Sequence, residues 1–140
     1  MGTFENFHKI PILQYKNTMW KSLLLIAVIM LVIDLAYISL ISGTFKSMVK
    51  EVQGGRKLEL DLTASFLCYL TMVLALWYFI IREKRSVWEA ALLGWSIYAV
   101  YETTNKATLK DWRWSMVVMD TLWGGVLFAT TTFIFNTLPY

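Results

Sequence analysis

Imidazole and thiol are almost missing from this chain, which holds one histidine, His8, and one cysteine, Cys68. A single thiol forbids an intramolecular disulfide, and Cys68 sits inside an apolar run, so the redox compartment stays unspecified. With its imidazole in the N-terminal segment, the chain would build any metal or haem site in its core from other ligands. Charged residues are also scarce, at 16% of 140 residues. The net charge of +3 is spread over connecting segments and gathers in no patch. That pattern excludes a nucleic-acid footprint and fits weak attraction to anionic lipid headgroups. No nucleophile elbow, phosphate loop, paired CxxC or HExxH is present, so the common enzyme motifs fail and no cofactor is indicated.

What the chain has instead is apolar bulk. Hydrophobic residues make up 57%, with 7 Trp, 7 Tyr and 8 Phe. A soluble domain of this size could not hide that much apolar surface, whereas a small helical membrane protein has no need to. The length suits one domain.

Residues 1–20 read as an interfacial tail, with Phe4, Phe7, Lys9, Tyr15 and Lys16 mixing aromatics and lysines as the membrane–water boundary does. Asn6 stands where a myristoylation signal wants Ser or Thr. The first span is expected over residues 21–43, whose apolar run is broken once, by Asp34. No small-residue cleavage site follows it, so it reads as an anchor that stays. Residues 44–59 are polar and basic around Gly54 and Gly55 and read as a loop. The second span is expected over 60–81, with Asp61 as its N-cap. Residues 82–85 leave room only for a tight turn, making the second and third spans a hairpin. The third span is expected over 87–104 and the fourth over 113–135, with Asp111 a candidate N-cap for the fourth. The expectation is an all-α, polytopic membrane protein: one domain, residues 21–136, of four transmembrane helices in an antiparallel bundle.

Four spans put both termini on one side. Lys and Arg number six on the terminal side and seven on the other, which sets no orientation by itself. The dense basic cluster at 82–85 tips the reading toward cytoplasmic termini.

Ionisable groups inside a bilayer are costly and mark function by default. The third helix collects Gly94, Trp95, Tyr98, Tyr101, Glu102 and Asn105 on one face. The fourth places Asp120 with Met116, Trp123, Gly124, Leu127 and Thr131, and the first places Asp34 with Met30, Tyr37, Ile38 and Ile41. At ~1.5 Å per residue, Asp34 and Asp120 fall roughly 10–14 Å below the surface that carries the first and third connections, with Glu102 nearer it. The expected site is a pocket opening on that surface, lined by Asp34, Tyr37, Tyr98, Tyr101, Glu102, Asn105, Lys106, Asp120 and Trp123. Three ionised carboxylates in a dry pocket repel, so at least one is expected to hold a proton or pair with Lys106 or Arg113. The alternative is plain interhelical glue. Gly124 and Gly125 are expected to let two helices approach closely.

The same stretch resembles the membrane family catalogued as domain of unknown function 2177. The resemblance rests on Tyr101-Glu102, Thr104-Asn105, Ala107-Thr108-Leu109, Asp120 and Trp123-Gly124, with Ile33-Asp34 and Tyr37 in the first span. The family's pattern has Asp where this chain has Glu102 and Trp where it has Tyr37. It implies a four-helix membrane fold and brings no established activity.

Function classes stay open between three. The pocket could bind or conduct protons, cations or a small cationic solute, and four helices make such thin pore walls that a homo-oligomer is then expected. It could instead belong to a membrane enzyme acting on lipid or isoprenoid chains, by carboxylate acid–base or divalent-metal chemistry. Or the chain is a membrane assembly subunit. Transport or conduction is the leading expectation, with the lipid bilayer as its surroundings. A polar stripe reaching the far surface favours permeation, and a blind one favours binding or catalysis.

Overall fold

The computed structural model describes residues 12–139 of the chain. Four helices follow one another: α1 Ile12–Val52, α2 Leu62–Leu76, α3 Val87–Thr108 and α4 Trp114–Thr137. No strand occurs among the described residues. The chain is thus all-α, as its apolar runs demand.

The first helix is far longer than its span. Its 41 residues, at ~1.5 Å each, run about 60 Å, roughly twice the thickness of the hydrocarbon core. It begins inside the expected tail and continues through most of the expected loop. Lys46, Lys50 and Glu51 mark that continuation as a water-facing helix, which polarity alone had not distinguished from a loop. It stops where Gly54 and Gly55 take φ of +64° and +92°, conformations that glycine enters freely. Their N–H groups return to the carbonyls of Glu51 and Lys50. Of the expected tail, residues 1–11, including His8, lie outside the described residues.

The second helix starts as expected, Asp61 accepting from Ala64 N at 3.0 Å. Its last turn, Trp77–Ile81, is wound as a π-helix, and the Arg82 guanidinium lies over the Tyr78 ring at 3.9 Å. A short turn follows, and Ser86 and Glu89 close a reciprocal capping box at the start of α3. The fourth helix begins differently from the expectation. Its N-cap is Arg113 with no side-chain bond, so Asp111 does not cap it.

Helices α1, α2 with its π-helical end, and α4 are each long and apolar enough to cross a membrane. The third, 22 residues long, has the length but carries more polar side chains. The packing is antiparallel. One apolar cluster gathers Ile26 and Met30 of α1, Leu76 and Ile80 of the second helix, Ala90 of α3 and Phe128 and Phe135 of α4. The start of α1 and the end of α4 therefore share one end of the bundle. A second cluster at the opposite end joins Met48 to Trp112, Met116 and Val117, with Phe45 against it.

The third helix lies along α4, and α1 touches both α4 and α2, while α2 and α3 meet less closely despite the short turn between them. The expected tight turn joins the two helices, and Leu76 and Ile80 share an apolar cluster with Ala90, but α3 is drawn more closely to α4. The α3–α4 approach explains why. A Cβ on Gly94 would stand 2.1 Å from the Gly124 carbonyl oxygen, and one on Gly124 would stand 2.6 Å from that of Gly94. The two backbones are in direct contact, as small residues allow in lipid. Drawn that tightly to α4, α3 leaves a groove of about 680 Å³ toward α2, lined by Leu67, Cys68, Met72, Ile97, Tyr98 and Tyr101 among others.

Candidate functional site: a buried acidic layer

Between the two apolar clusters lies a polar layer. Asp34, Glu102 and Asp120 are all buried, with 5%, 0% and 8% of their surface exposed. Asp34 accepts two bonds, from the Trp123 Nε1–H at 2.8 Å and from the Tyr69 hydroxyl. Asp120 accepts from the Tyr37 hydroxyl. Glu102 Oε2 accepts from the Trp112 Nε1–H at 2.7 Å, while its Oε1 has no partner. Asp120 stands within hydrogen-bonding reach of Glu102. Tyr37 stacks on Trp123, ring centroids 4.2 Å apart and nearly parallel, which links the Asp34 and Asp120 bonds into one assembly.

Local sequence explains the convergence. On α4, Met116, Asp120, Gly124, Leu127 and Thr131 are buried, whereas Val118, Leu122, Val126 and Phe133 face outward. The helical phase read from sequence is the phase observed. On α1, Asp34 follows Met30 by one turn and points the same way, with Tyr37 one turn further. On α3 the inward face is narrower than expected. Gly94 and Glu102 are buried and Tyr98 partly so, but Trp95 and Tyr101 are 47% and 53% exposed. Tyr101 lines the groove toward α2, whereas Trp95 lies on the other side of the α3–α4 contact, beside Leu122 and Gly125. Tyr101 contacts Asn105 on its own helix, one turn on.

Neither basic candidate neutralises the acids. The Lys106 ammonium donates to the Trp112 carbonyl oxygen at 2.6 Å and lies 5.7 Å from the Trp114 ring centre. Arg113 pairs with Glu51 at 2.8 Å. Lys106 thus fastens the α3–α4 connection, and the expected ion pair within the layer is not made. The four donors the acids do have are neutral: two tyrosines and two tryptophans.

Two of those donors, Tyr69 and Trp112, were not among the expected site residues. Tyr69 lies in an apolar run where nothing marks its hydroxyl as needed elsewhere. Trp112 reads as an interface anchor, yet a buried indole N–H seeks an acceptor, and that requirement was the available signal.

The layer has no open mouth toward the loops. Because α1 continues past residue 43, Phe45 and Met48 meet Trp112 and Met116 above the acids. On the other side lie Met30, Leu127 and Phe128. Thr131 Oγ1 is buried beyond them without a partner, and Thr132 bonds to the Phe128 carbonyl oxygen. The polar stripe is blind at both ends. Among the described residues no three Asp, Glu, Cys or His side chains are grouped to hold a metal ion, so the three acids form a series and not a cage.

A family model described as "Predicted membrane protein (DUF2177)" matches residues 19–136. The chain belongs to that family. No curated protein and no solved structure matches it.

Proposed function

We propose that the acidic layer is an intramembrane binding site for protons or a small cation, used to carry that charge across the membrane. One observation carries the reading: three buried carboxylates are held only by uncharged donors, Tyr37, Tyr69, Trp112 and Trp123. Desolvated negative charge without a basic partner attracts protons or cations more strongly than any other ligand class. The blind ends argue for binding inside a closed state followed by a shift of α1 against α4, and against a standing pore. In this reading residues 21–136 are one transmembrane domain, Asp34, Glu102 and Asp120 take the charge, and Tyr37 and Trp123 hold their geometry. Both termini lie on one side, and copies of the chain assemble to give thicker walls.

The test is flux in proteoliposomes with a pH dye and a panel of cations. Wild-type protein is expected to move protons or one of the cations. Asp34→Asn and Asp120→Asn, which keep shape and lose charge, are expected to fall to the background of empty liposomes. A silent wild type would overturn the transport reading.

A second reading has its own observation. The groove between α2 and α3 is lined by Tyr98 and Cys68, and Cys68 adjoins Tyr69, whose hydroxyl bonds to Asp34. A lipid or isoprenoid chain lying there would bring its polar end to the carboxylates, as a membrane enzyme requires. Conversion of a lipid substrate by the purified protein, in the absence of any flux, would favour this reading.

A further inference from the structure

The Glu102 carboxyl presents an imbalance that the rest of the layer does not. It is fully buried, and Oε1 has neither a donor nor access to water. A carboxylate oxygen left bare in such a place forfeits its solvation with nothing in return. Around it, α4 offers Asp120, α1 offers Tyr37 and, further off, Asp34, and α3 itself offers Tyr101 and Lys106. Each is committed or wrong in kind. The Tyr37 hydroxyl is given to Asp120, and the Lys106 ammonium to the Trp112 carbonyl. Tyr101 contacts Asn105. Tyr69, on α2, bonds to Asp34. What remains beside Glu102 is another acid, Asp120, which can accept but, when ionised, cannot donate.

One added atom resolves this. We propose that Glu102 carries a proton at Oε1 and donates it to Asp120, so that the two acids form a single carboxyl–carboxylate pair sealed beneath Trp112. The pair then bears one negative charge where two would stand. Every polar atom in it gains a partner: Glu102 Oε1–H gives to Asp120, Oε2 takes from Trp112, and Asp120 also takes from Tyr37. Trp112 is the positioning residue, because its indole fixes Oε2 and leaves Oε1 turned to the partner acid. Asp34, already taking two donors, is outside the pair. This deepens the proton- or cation-site reading and rests on it only for the use to which the proton is put.

Infrared spectroscopy of the purified full chain near neutral pH reads the proton directly, since a protonated carboxyl absorbs apart from carboxylates. The wild type is expected to show one such band. Glu102→Gln should remove it, because the amide replaces the O–H as donor. Asp120→Asn should displace or remove it, because the charged acceptor is gone. Asp34→Asn should leave it in place. A wild type without the band overturns the pair, and so does a band that either Glu102→Gln or Asp120→Asn leaves unmoved. If an amide variant does not fold, wild-type protein grown with carboxyl-labelled glutamate decides. The band must shift by isotope, and an unshifted band sinks the assignment to Glu102. Proteoliposome flux separates the two ideas: a band with no flux retains the pair and removes the transport reading, and flux without a band does the reverse.

Discussion

Between α3 and α4 the helices meet backbone on backbone, whereas α1 reaches α2 and α4 through carboxylates held by tyrosine and tryptophan. The first seam uses absent side chains, at Gly94 and Gly124, and dispersion does the holding. The second uses Asp34 and Asp120, which would rather be in water. Where Gly94 meets Gly124, this chain joins two helices without any polar group, although the same pair of helices carries Glu102 and Asp120 further along. Carboxylates between the others are therefore not required by packing, and that difference is what turns attention from glue to function.

The largest effect is expected where the first seam is broken. Gly94→Ala puts a methyl 2.1 Å from the Gly124 carbonyl oxygen and 2.6 Å from Phe128 Cγ. Backbone and a buried ring must both move, so a loss of about 3 kcal/mol or more is expected, at the severe end for overpacking. Gly125→Ala is the control, since its methyl would meet the Ala91 carbonyl oxygen at 3.2 Å, a contact that a few tenths of an ångström relieves. Melting in detergent should place Gly94→Ala far below Gly125→Ala. Equal melting points would mean that the seam is not a backbone contact.

The acid seam should respond differently, with activity lost and stability mostly kept. In a cycle of Asp34→Asn and Tyr69→Phe, each single change and the coupling between them are expected near 0.6–2 kcal/mol, roughly the range for polar contacts between membrane helices. Trp123→Phe should weaken the same carboxylate's hold while preserving the stack on Tyr37. Stability losses as large as that of Gly94→Ala, with any flux intact, would make the acids structural and end the distinction between the seams.

The two seams also differed in how plainly the sequence announced them. Asp34, Glu102 and Asp120 stand out as charges interrupting apolar runs, and on α4 the period of 3.6 places the inward stripe correctly because α1 and α3 cover it from both sides. On α3 the same arithmetic placed Trp95 and Tyr101 inside, and both are half exposed. Periodicity tells which residues share a face, but how wide an arc is covered depends on neighbours: Tyr101 borders the groove toward α2, and Trp95 lies over the outer edge of the α3–α4 contact. Helix ends were lost for a related reason. Residues 44–52 form a helix whose Lys46, Lys50 and Glu51 are exposed while Met48 and Val49 are buried, and such polarity looks the same in a loop. Tyr69 and Trp112 were hidden because their bonds run to other helices, and a tyrosine or tryptophan in an apolar run looks like any interface anchor.

Membrane sidedness sharpens the comparison further, because it decides which end of each seam meets which compartment. In a Cys68→Ser background, single cysteines near each terminus should label from one side, with cysteines at Lys50 and Lys110 labelling from the other. Opposite-side labelling of the two termini would remove α3, the least apolar of the four, from the set of spans.

The smallest effect is expected from a third link between α1 and α4, made outside the membrane. Arg113 and Glu51 meet through one N···O contact of 2.8 Å, and both side chains are over a third exposed. It joins the same two helices as the Tyr37–Asp120 bond, so chemistry and helix pair are alike and only the surroundings differ. In water the attraction is screened, and ordering two long side chains opposes it, so such pairs yield about 0–1 kcal/mol. Arg113→Gln should therefore shift the melting point little, and added salt should abolish most of what shift there is. Tyr37→Phe, which leaves Asp120 with one donor fewer inside the bilayer, should shift it more and without salt dependence. If the two variants melt alike and respond alike to salt, Asp120 is solvated after all, and the acidic layer is an aqueous pocket instead of a desolvated store of charge.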